Sequence, residues 1–149
     1  MPRDPKKPDC DSLINLFPDP FVIIDRQFRI VSSNQKYKDH YKQNDIIGKH
    51  CYEVSHGSNR PCSQNGEHCP LEEVVQTGKP TSVMHIHCNC DAEEHVQLSA
   101  SPIFDNEGNV QFMAESIQPV NIEPEHEQTL LGRSKAALRL MSILYRVAP

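Results

Sequence analysis

The sequence lacks a long hydrophobic run, a strong basic patch and any tryptophan. Its longest apolar run, residues 21–24 (FVII), is far too short to span a membrane and too far from a basic start to be a signal peptide. Lysine and arginine are scattered along a chain of net charge -5, which indicates no nucleic-acid-binding surface. We therefore expect a cytoplasmic protein, and its 149 residues are enough for one domain with a core.

The cysteines are concentrated in one polar segment, residues 50–74 (HCYEVSHGSNRPCSQNGEHCPLEEV). This segment holds three of the six cysteines, namely Cys51, Cys62 and Cys69. A reducing cytosol does not favour a structural disulfide framework. The segment therefore indicates metal binding or redox chemistry.

The order of apolar patterns and turn signals predicts an α+β domain over residues 10–120. A five-stranded antiparallel sheet with short helices on one side accounts for this order. Asn34 is a good helix cap, and a second helix has Pro70 at its first position and Gly78 at its end. The predicted helices lie at residues 10–17, 34–43 and 70–78, and a further short helical segment starts at Cys51. The predicted strands lie at residues 21–25, 28–33, 81–88, 95–104 and 110–120.

Both ends of the chain differ in composition from this domain. Residues 1–9, in which prolines lie among charges, predict a flexible arm. Residues 121–129 (NIEPEHEQT) have the composition of a linker, and residues 130–149 predict a helix whose apolar stripe has no partner in the chain. We therefore expect a second, truncated domain to begin at residue 130.

Several stretches carry a family resemblance. The pattern FPDPFVIIDRQFRIVSSNQKY, IIGKHCYEV, PLEEVVQTGKP and SASPIFDNEGNV resembles a PAS sensor domain. The tail LLGRSKAALRLMSILYRVAP resembles the opening of the AAA+ ATPase domain of sigma-54-dependent (NtrC-type) transcriptional activators. The phosphate-binding G-x-x-x-x-G-K-[ST] loop does not occur, so we expect no ATPase activity in this chain. No nucleophile motif other than the cysteines is visible, and we expect a chain that is not an enzyme.

Within that class, the spacing C-x10-C-x6-C of Cys51, Cys62 and Cys69 resembles the sensing cysteines of FisR-type activators. The resemblance implies that the domain detects polysulfides or persulfides, controls a downstream AAA+ ATPase domain and activates sulfide-oxidation genes. It also implies that DNA and sigma-54 RNA polymerase are contacted through domains absent here. Cys10 and the cysteines of the HIHCNC stretch match nothing in this motif.

The residues around the three cysteines indicate reactive thiols. Only the thiolate attacks sulfur, and the N-cap position that Pro70 predicts for Cys69 favours the anion. Gly57 and Gly66 flank Cys62 and predict that it is mobile. Candidates for tuning the thiol pKa are the basic neighbours in sequence and two histidines of the first long strand, namely Lys49, His50, His68, His85 and His87.

These features favour a redox switch. One thiolate, Cys51 or Cys69, takes a sulfur atom from a polysulfide, and a second cysteine resolves the persulfide into a disulfide or a longer sulfur bridge. Such a bridge restricts the loop with an entropic effect of roughly 3 kcal/mol. We also expect a homodimer through residues 10–17, whose apolar side has little to cover in the domain.

Other readings stay open. Zinc could be held by the three cysteines with His50, His56 or His68, but no C-x-x-C pair is present, and an iron-sulfur cluster lacks the usual paired spacing. Incidental buried cysteines and a sulfur-transfer enzyme are further alternatives. We therefore expect that the chain binds no metal ion and no cofactor.

Two more alternatives concern the sheet. In HIHCNC, His85 and His87 face away from Cys88, so a metal site there is disfavoured, and Cys88 is expected in the core with Met84 and Ile86. Haem would need a histidine on the helix that begins at Pro70, and flavin chemistry would need the motif NCRFLQ, and neither occurs. A small-molecule pocket inside the sheet would be lined by Ile24, Ile30, Val96, Leu98 and Phe112.

Overall fold

Five antiparallel strands form a single sheet in the computed structural model, which describes residues 5–89, 92–120 and 140. The strands are β1 (Phe21–Asp25), β2 (Ile30–Ser33), β3 (Thr81–Asn89), β4 (Ala92–Phe104) and β5 (Val110–Pro119), and their order in the sheet is β2-β1-β5-β4-β3. The helices are α1 (Cys10–Ile14), α2 (Gln35–Tyr41), α3 (Cys51–His56), α4 (Pro70–Thr77) and a 3-10 helix, Cys62–Asn65. The predicted five-stranded α+β sheet is therefore confirmed.

The start of α2 is fixed by one buried side chain, Asn34. Its Oδ1 accepts hydrogen bonds from the amides of Phe21 and Tyr37, both at 3.0 Å, and its Nδ2 donates to the Asp19 carbonyl at 2.9 Å. The bond from the Phe21 amide ties the start of the helix to β1. The bond from the Tyr37 amide satisfies a donor that the first turn of a helix cannot pair internally.

Helix α4 follows the signals in its sequence. Pro70 occupies its first position, Glu72 and Glu73 lie in its first turn, and Gly78 ends it with φ at +66°. Glycine is suited to this left-handed conformation because it has no Cβ. Cys69 is consequently the N-cap residue, as predicted.

The core lies between one face of the sheet and helices α2 to α4. The strands contribute Val22, Ile24, Ile30, Val83, Val96, Leu98, Ala100, Val110, Met113 and Ile117, and the helices contribute Tyr37, Tyr41, Val54, Leu71 and Val74. Within β3 the core face carries Val83, His85 and His87. This face positions the two histidines toward the helices.

Three predictions about buried positions are wrong. Cys88 is exposed, because the core side of β3 is the face that carries its histidines. Phe112 lies on the opposite face of β5 from the buried Met113, so it does not line the core. Cys62 is buried in the 3-10 helix and packs in the core instead of lying in an open loop.

Some predictions fall on the chain ends. Residues 5–9 are exposed and form no helix or strand. The predicted linker at 121–129 lies outside the described residues. So does the predicted AAA+ segment at 130–149, apart from residue 140. Cys90 also lies outside them. Within the described part of the chain, every helix is too short or too polar to cross a membrane.

Candidate functional site

A small cavity of about 20 Å³ lies where α3, the 3-10 helix and α4 meet the sheet. It is lined by Ile24, Cys51, Ser55, His56, Cys62, Cys69, Pro70, Leu71, His85, His87, Leu98, Met113 and Glu115. A cavity of this size accommodates about one water molecule or one ion. The structure thus brings together the three predicted sensing cysteines and the two histidines of β3 around space for a single small species.

Cys62 and Cys69 are buried thiols that line the same cavity. Hydrogen bonding between the two lowers the pKa of Cys69 despite burial, and together with burial it raises the pKa of Cys62. Cys69 makes no side-chain capping hydrogen bond, but the amides of Glu72 and Leu71 lower its pKa further. Cys69 is therefore the cysteine of this pair that is suited to act as the thiolate.

Cys51 behaves differently from the sequence prediction. Burial, followed by the charges of Glu115 and Cys69, raises the pKa of the Cys51 thiol well above its ordinary value. Neither Lys49 nor His50, whose positions predicted a thiolate here, lines the cavity. The desolvation of the sulfur decides its protonation, so Cys51 is held as a neutral thiol.

His85 is fixed in one tautomer by the backbone. Its Nε2 lies 2.6 Å from the carbonyl oxygen of His68, which can only accept, so Nε2 carries the proton and Nδ1 carries a lone pair. Nδ1 is buried and makes no hydrogen bond. The neighbouring His87 is hydrogen-bonded through Nδ1 to the Tyr41 hydroxyl at 2.5 Å.

Burial keeps the histidines of the site neutral. Desolvation lowers the pKa of His56 to about 4 and that of His85 to about 3, and it lowers the pKa of His87 well below its ordinary value. The ring of His56 lies 5.4 Å from that of His85 and 4.6 Å from that of His87, measured between centroids. Uncharged imidazoles can pack at these distances and offer lone pairs to a proton or a cation.

Two glutamates belong to the site but were not predicted. Glu67 accepts a hydrogen bond from the Ile86 amide at 3.0 Å through Oε2, and burial raises its pKa to about 7. Glu115 lies in the middle of β5, where burial raises its pKa to about 8. The alternation of β5 was a sequence signal for Glu115, because Glu115 has the same parity as Met113 and Ile117, which are buried on the core face.

The other tuning candidates lie away from the cavity. Lys49 is exposed, the His50 ring stacks on Tyr52 with centroids 4.9 Å apart, and the His68 ring pairs with Glu73. The carbonyl oxygen of His68 accepts the hydrogen bond that holds the ring of His85.

The predicted small-molecule pocket is not formed as a ligand cavity. Ile30 and Val96 are buried in the packed core, and only Ile24 and Leu98 of the predicted lining reach the cavity of about 20 Å³. A volume of this size is far below the roughly 300 Å³ at which ordinary ligand pockets begin.

Within the described residues, His56, Cys62 and His85 form a group that could hold a metal ion. One ring nitrogen of each histidine and the sulfur of Cys62 lie within 4.8 Å of one another. The side chains come from α3, the 3-10 helix and β3, so no local sequence spacing brings them together.

The comparisons agree on the fold. A family model described as PAS fold matches residues 14–122. VqmA of Vibrio cholerae is similar with 23% identity and a TM-score of 0.58, over 74% of this chain and 49% of VqmA. The PAS domain of BvgS from Bordetella pertussis is similar with 16% identity and a TM-score of 0.54, over 80% of this chain and 90% of that domain.

The LOV protein of Rhodobacter sphaeroides is also similar, with 12% identity and a TM-score of 0.60, over 91% of this chain and 86% of that protein. The chain spans about half the length of VqmA, and at these identities each similarity shows the fold alone. None of the curated proteins is significantly similar in sequence to the chain.

Proposed function

Because the chain belongs to the PAS fold family, we propose that it is a signal-sensing regulatory domain whose sensor is the pair Cys62 and Cys69. The observation that carries the proposal is the placement of two buried cysteines, Cys62 and Cys69, beside a cavity for one small species. A PAS fold alone does not identify the signal, so the signal follows from the chemistry of the pair. Two adjacent thiols, one of them with a lowered pKa, suit a sulfur donor.

We propose a polysulfide or persulfide as that signal. The Cys69 thiolate attacks an S–S bond of the polysulfide, a new S–S bond forms on Cys69, and the shortened polysulfide leaves with the electron pair. Cys62 then attacks the Cys69 sulfur and displaces the outer sulfur. The two hydrogens of the thiol and the persulfide leave with it as hydrogen sulfide, and a disulfide remains. The polysulfide is the oxidant, so no further reactant is needed.

The role of Cys51 is different in this scheme. Its raised pKa disfavours attack on the polysulfide, which supports Cys69 as the first nucleophile of the three cysteines. Cys51 lines the same cavity, where its thiol can take the outer sulfur of the Cys69 persulfide, so that Cys51 becomes the persulfide and Cys69 returns to the thiol. A second polysulfide then converts Cys69 to a persulfide again, and the two persulfides combine into a trisulfide bridge with loss of hydrogen sulfide. The site therefore uses all three predicted cysteines, with the attack assigned to Cys69.

The bridge provides a switch at the start of α4. Linking the 3-10 helix to the N-cap of α4 closes a short loop, with an entropic stabilisation of about 2.5 kcal/mol. Such an energy biases a two-state element when only one state accommodates the bridge. We propose that this bias releases a downstream AAA+ domain of a sigma-54-dependent activator in the cytoplasm, whose other domains contact DNA and sigma-54 RNA polymerase to activate sulfide-oxidation genes.

We also propose that the domain forms a homodimer through residues 10–17. In the single chain, three apolar side chains of this short segment are exposed: Leu13 by 46%, Leu16 by 79% and Phe17 by 45%. Apolar side chains exposed together on one surface are typical of a protein–protein contact. Structures of VqmA record a dimer in that protein and a form bound to DPO. Here the small cavity supports sulfur chemistry instead of an organic ligand of that kind.

Mass spectrometry of the polysulfide-treated chain tests the sensor. We expect one Cys62–Cys69 bridge per chain in the wild type, an accumulating persulfide on Cys69 in Cys62→Ala, and no modification of the pair in Cys69→Ser. The exposed cysteines provide matched controls, because Cys10→Ser and Cys88→Ser should leave the bridge unchanged. A wild-type chain whose Cys62 and Cys69 peptides never gain sulfur or lose hydrogen contradicts the proposal, and catalytic turnover of the donor would indicate an enzyme.

A further inference from the structure

The group formed by His56, Cys62 and His85 comes from three separate elements, with Cys62 and His85 buried and His56 partly buried. Their ligand atoms lie within 4.8 Å of one another around a cavity of about 20 Å³. In a tetrahedral zinc site, metal–nitrogen distances near 2.0 Å and metal–sulfur distances near 2.3 Å place neighbouring ligands roughly 3.5 Å apart. The three side chains therefore need to close by only about 1 Å to surround one ion.

His85 is already in the state that a metal ligand requires. Its Nε2 donates to the His68 carbonyl at 2.6 Å, so the buried Nδ1 presents a lone pair that makes no hydrogen bond. Histidines that bind metals characteristically donate their other ring N–H to a carbonyl or carboxylate, which fixes the tautomer and the orientation of the ring. A buried polar atom without a partner is costly, and an ion in the cavity would satisfy it.

A carboxylate provides further negative charge beside the same group. Oε1 of Glu67 lies 3.5 Å from Nδ1 of His56, and Oε2 lies 3.9 Å from Nδ1 of His85. The Ile86 amide holds the carboxylate in place with a bond of 3.0 Å to Oε2. An outer carboxylate of this kind balances the charge of a cation and orients its histidine ligands.

We propose that His56, Cys62 and His85 bind one divalent transition-metal ion with the ligand preference of zinc. Cys69 lines the same cavity and supplies the fourth ligand. Two imidazoles and two thiolates suit zinc, whereas magnesium and calcium require oxygen ligands. This site departs from the sequence expectation of no metal, and it goes beyond the sulfur chemistry because it does not require a polysulfide.

Metal binding and sulfur sensing share Cys62 and Cys69, so the two would compete. A bound ion withdraws both sulfurs from reaction, and a Cys62–Cys69 disulfide removes two ligands. The histidines separate the two functions, because His56 and His85 are ligands in the metal site but take no part in the proposed sulfur transfer. A variant at His85 should therefore lose the metal, and mass spectrometry of the same polysulfide-treated variant reports the sulfur reaction separately.

Cobalt titration of the reduced, chelator-treated chain tests the site. We expect one Co²⁺ per chain, thiolate-to-metal charge-transfer absorption, tetrahedral d–d bands, and stoichiometric displacement by Zn²⁺. His85→Asn and Cys62→Ala should each weaken Co²⁺ binding at least tenfold. Cys10→Ser and His50→Ala, which lie outside the cavity, should bind as the wild type does. Circular dichroism of each metal-free variant identifies those that remain folded, and only these are compared.

A second measurement keeps the test decisive if one variant does not fold. Zinc should protect Cys62 and Cys69 of the wild-type chain from alkylation while Cys10 and Cys88 react, as read by mass spectrometry. The site is refuted by Co²⁺ spectra without thiolate charge transfer, by alkylation that zinc does not slow, or by unchanged binding in the folded variants. If one of these results is obtained and the metal-free chain still forms the Cys62–Cys69 disulfide, the metal site is refuted and the proposed sulfur-sensing function stands. If the chain binds cobalt but never gains sulfur, the proposed function fails alone.

Discussion

Replacing Glu115 by glutamine should make the protein more stable, by an amount that grows with pH. Glu115 is paired with Val22 and Ala100 in the middle of the sheet and exposes only 6% of its surface. Burial alone raises the pKa of its carboxyl to about 8. Groups from α2, α3 and the 3-10 helix face it, since its charge contributes to raising the pKa values of Tyr37, Tyr41, Cys51 and Cys62.

The magnitude follows from the difference between the folded and unfolded states. The ordinary pKa of 4.5 applies in the unfolded chain, whereas the pKa in the folded chain is about 8. Between these values folding must take up a proton, so the free energy of unfolding falls by about 1.4 kcal/mol for each pH unit. The contribution of Glu115 is therefore most favourable below pH 4.5. It declines by about 5 kcal/mol in total as the pH rises to 8 and then stays constant.

Urea denaturation at pH 5, 6, 7 and 8, with reductant and chelator present, measures this effect. Glu115→Gln has no proton to gain, so its advantage over the wild type should increase by about 3 kcal/mol between pH 5 and pH 7. Glu107→Gln, at an exposed turn position, is the control and should follow the wild type at every pH. An advantage of Glu115→Gln that does not change with pH would refute the reasoning, because it would mean that Glu115 does not titrate at a raised pKa.

Two further predictions concern the elements that position the site. Asn34→Ala should lower the free energy of unfolding by about 3 kcal/mol, because it leaves two amides and a carbonyl unpaired, whereas Asn59→Ala on the surface should change it little. Val74→Ala should cost about 2 to 3 kcal/mol, since this fully buried side chain packs α4 onto the sheet, and Val31→Ala, 40% exposed before substitution, should cost much less. Equal losses within either pair, measured by urea denaturation, would contradict the packing described.

Local signals in the sequence were sufficient for the starts of α2 and α4 and for the alternation of β3. Asn34 and Pro70 define helix starts by hydrogen bonding and by a fixed φ, and both effects act within a few residues. The alternation of β3 placed His85 and His87 on one face for a similar reason, because successive side chains of a strand point to opposite sides. These features do not depend on which other elements pack nearby.

The same alternation did not decide which face of β3 is buried. Met84, Ile86 and Cys88 are the less polar set, which led to the prediction that Cys88 is in the core. The structure buries His85 and His87 toward the helices, because Tyr41 and the His68 carbonyl supply hydrogen bonds for their rings. On the other face Met84 is buried in a separate small cluster with Ile86, and Cys88 is exposed. Those partners come from distant positions in the sequence, so the cost of burying the histidines could not be judged from β3 alone.

The sequence by itself determined the PAS-like order of elements, the position of Cys69 at a helix start and the spacing of the three cysteines. Only the tertiary structure decided that Cys62 is buried against Cys69, that His56 joins His85, and that Cys51 is held as a neutral thiol. The physical reason is desolvation, which depends on packing between segments far apart in the chain and is the largest cause of the raised pKa of Cys51.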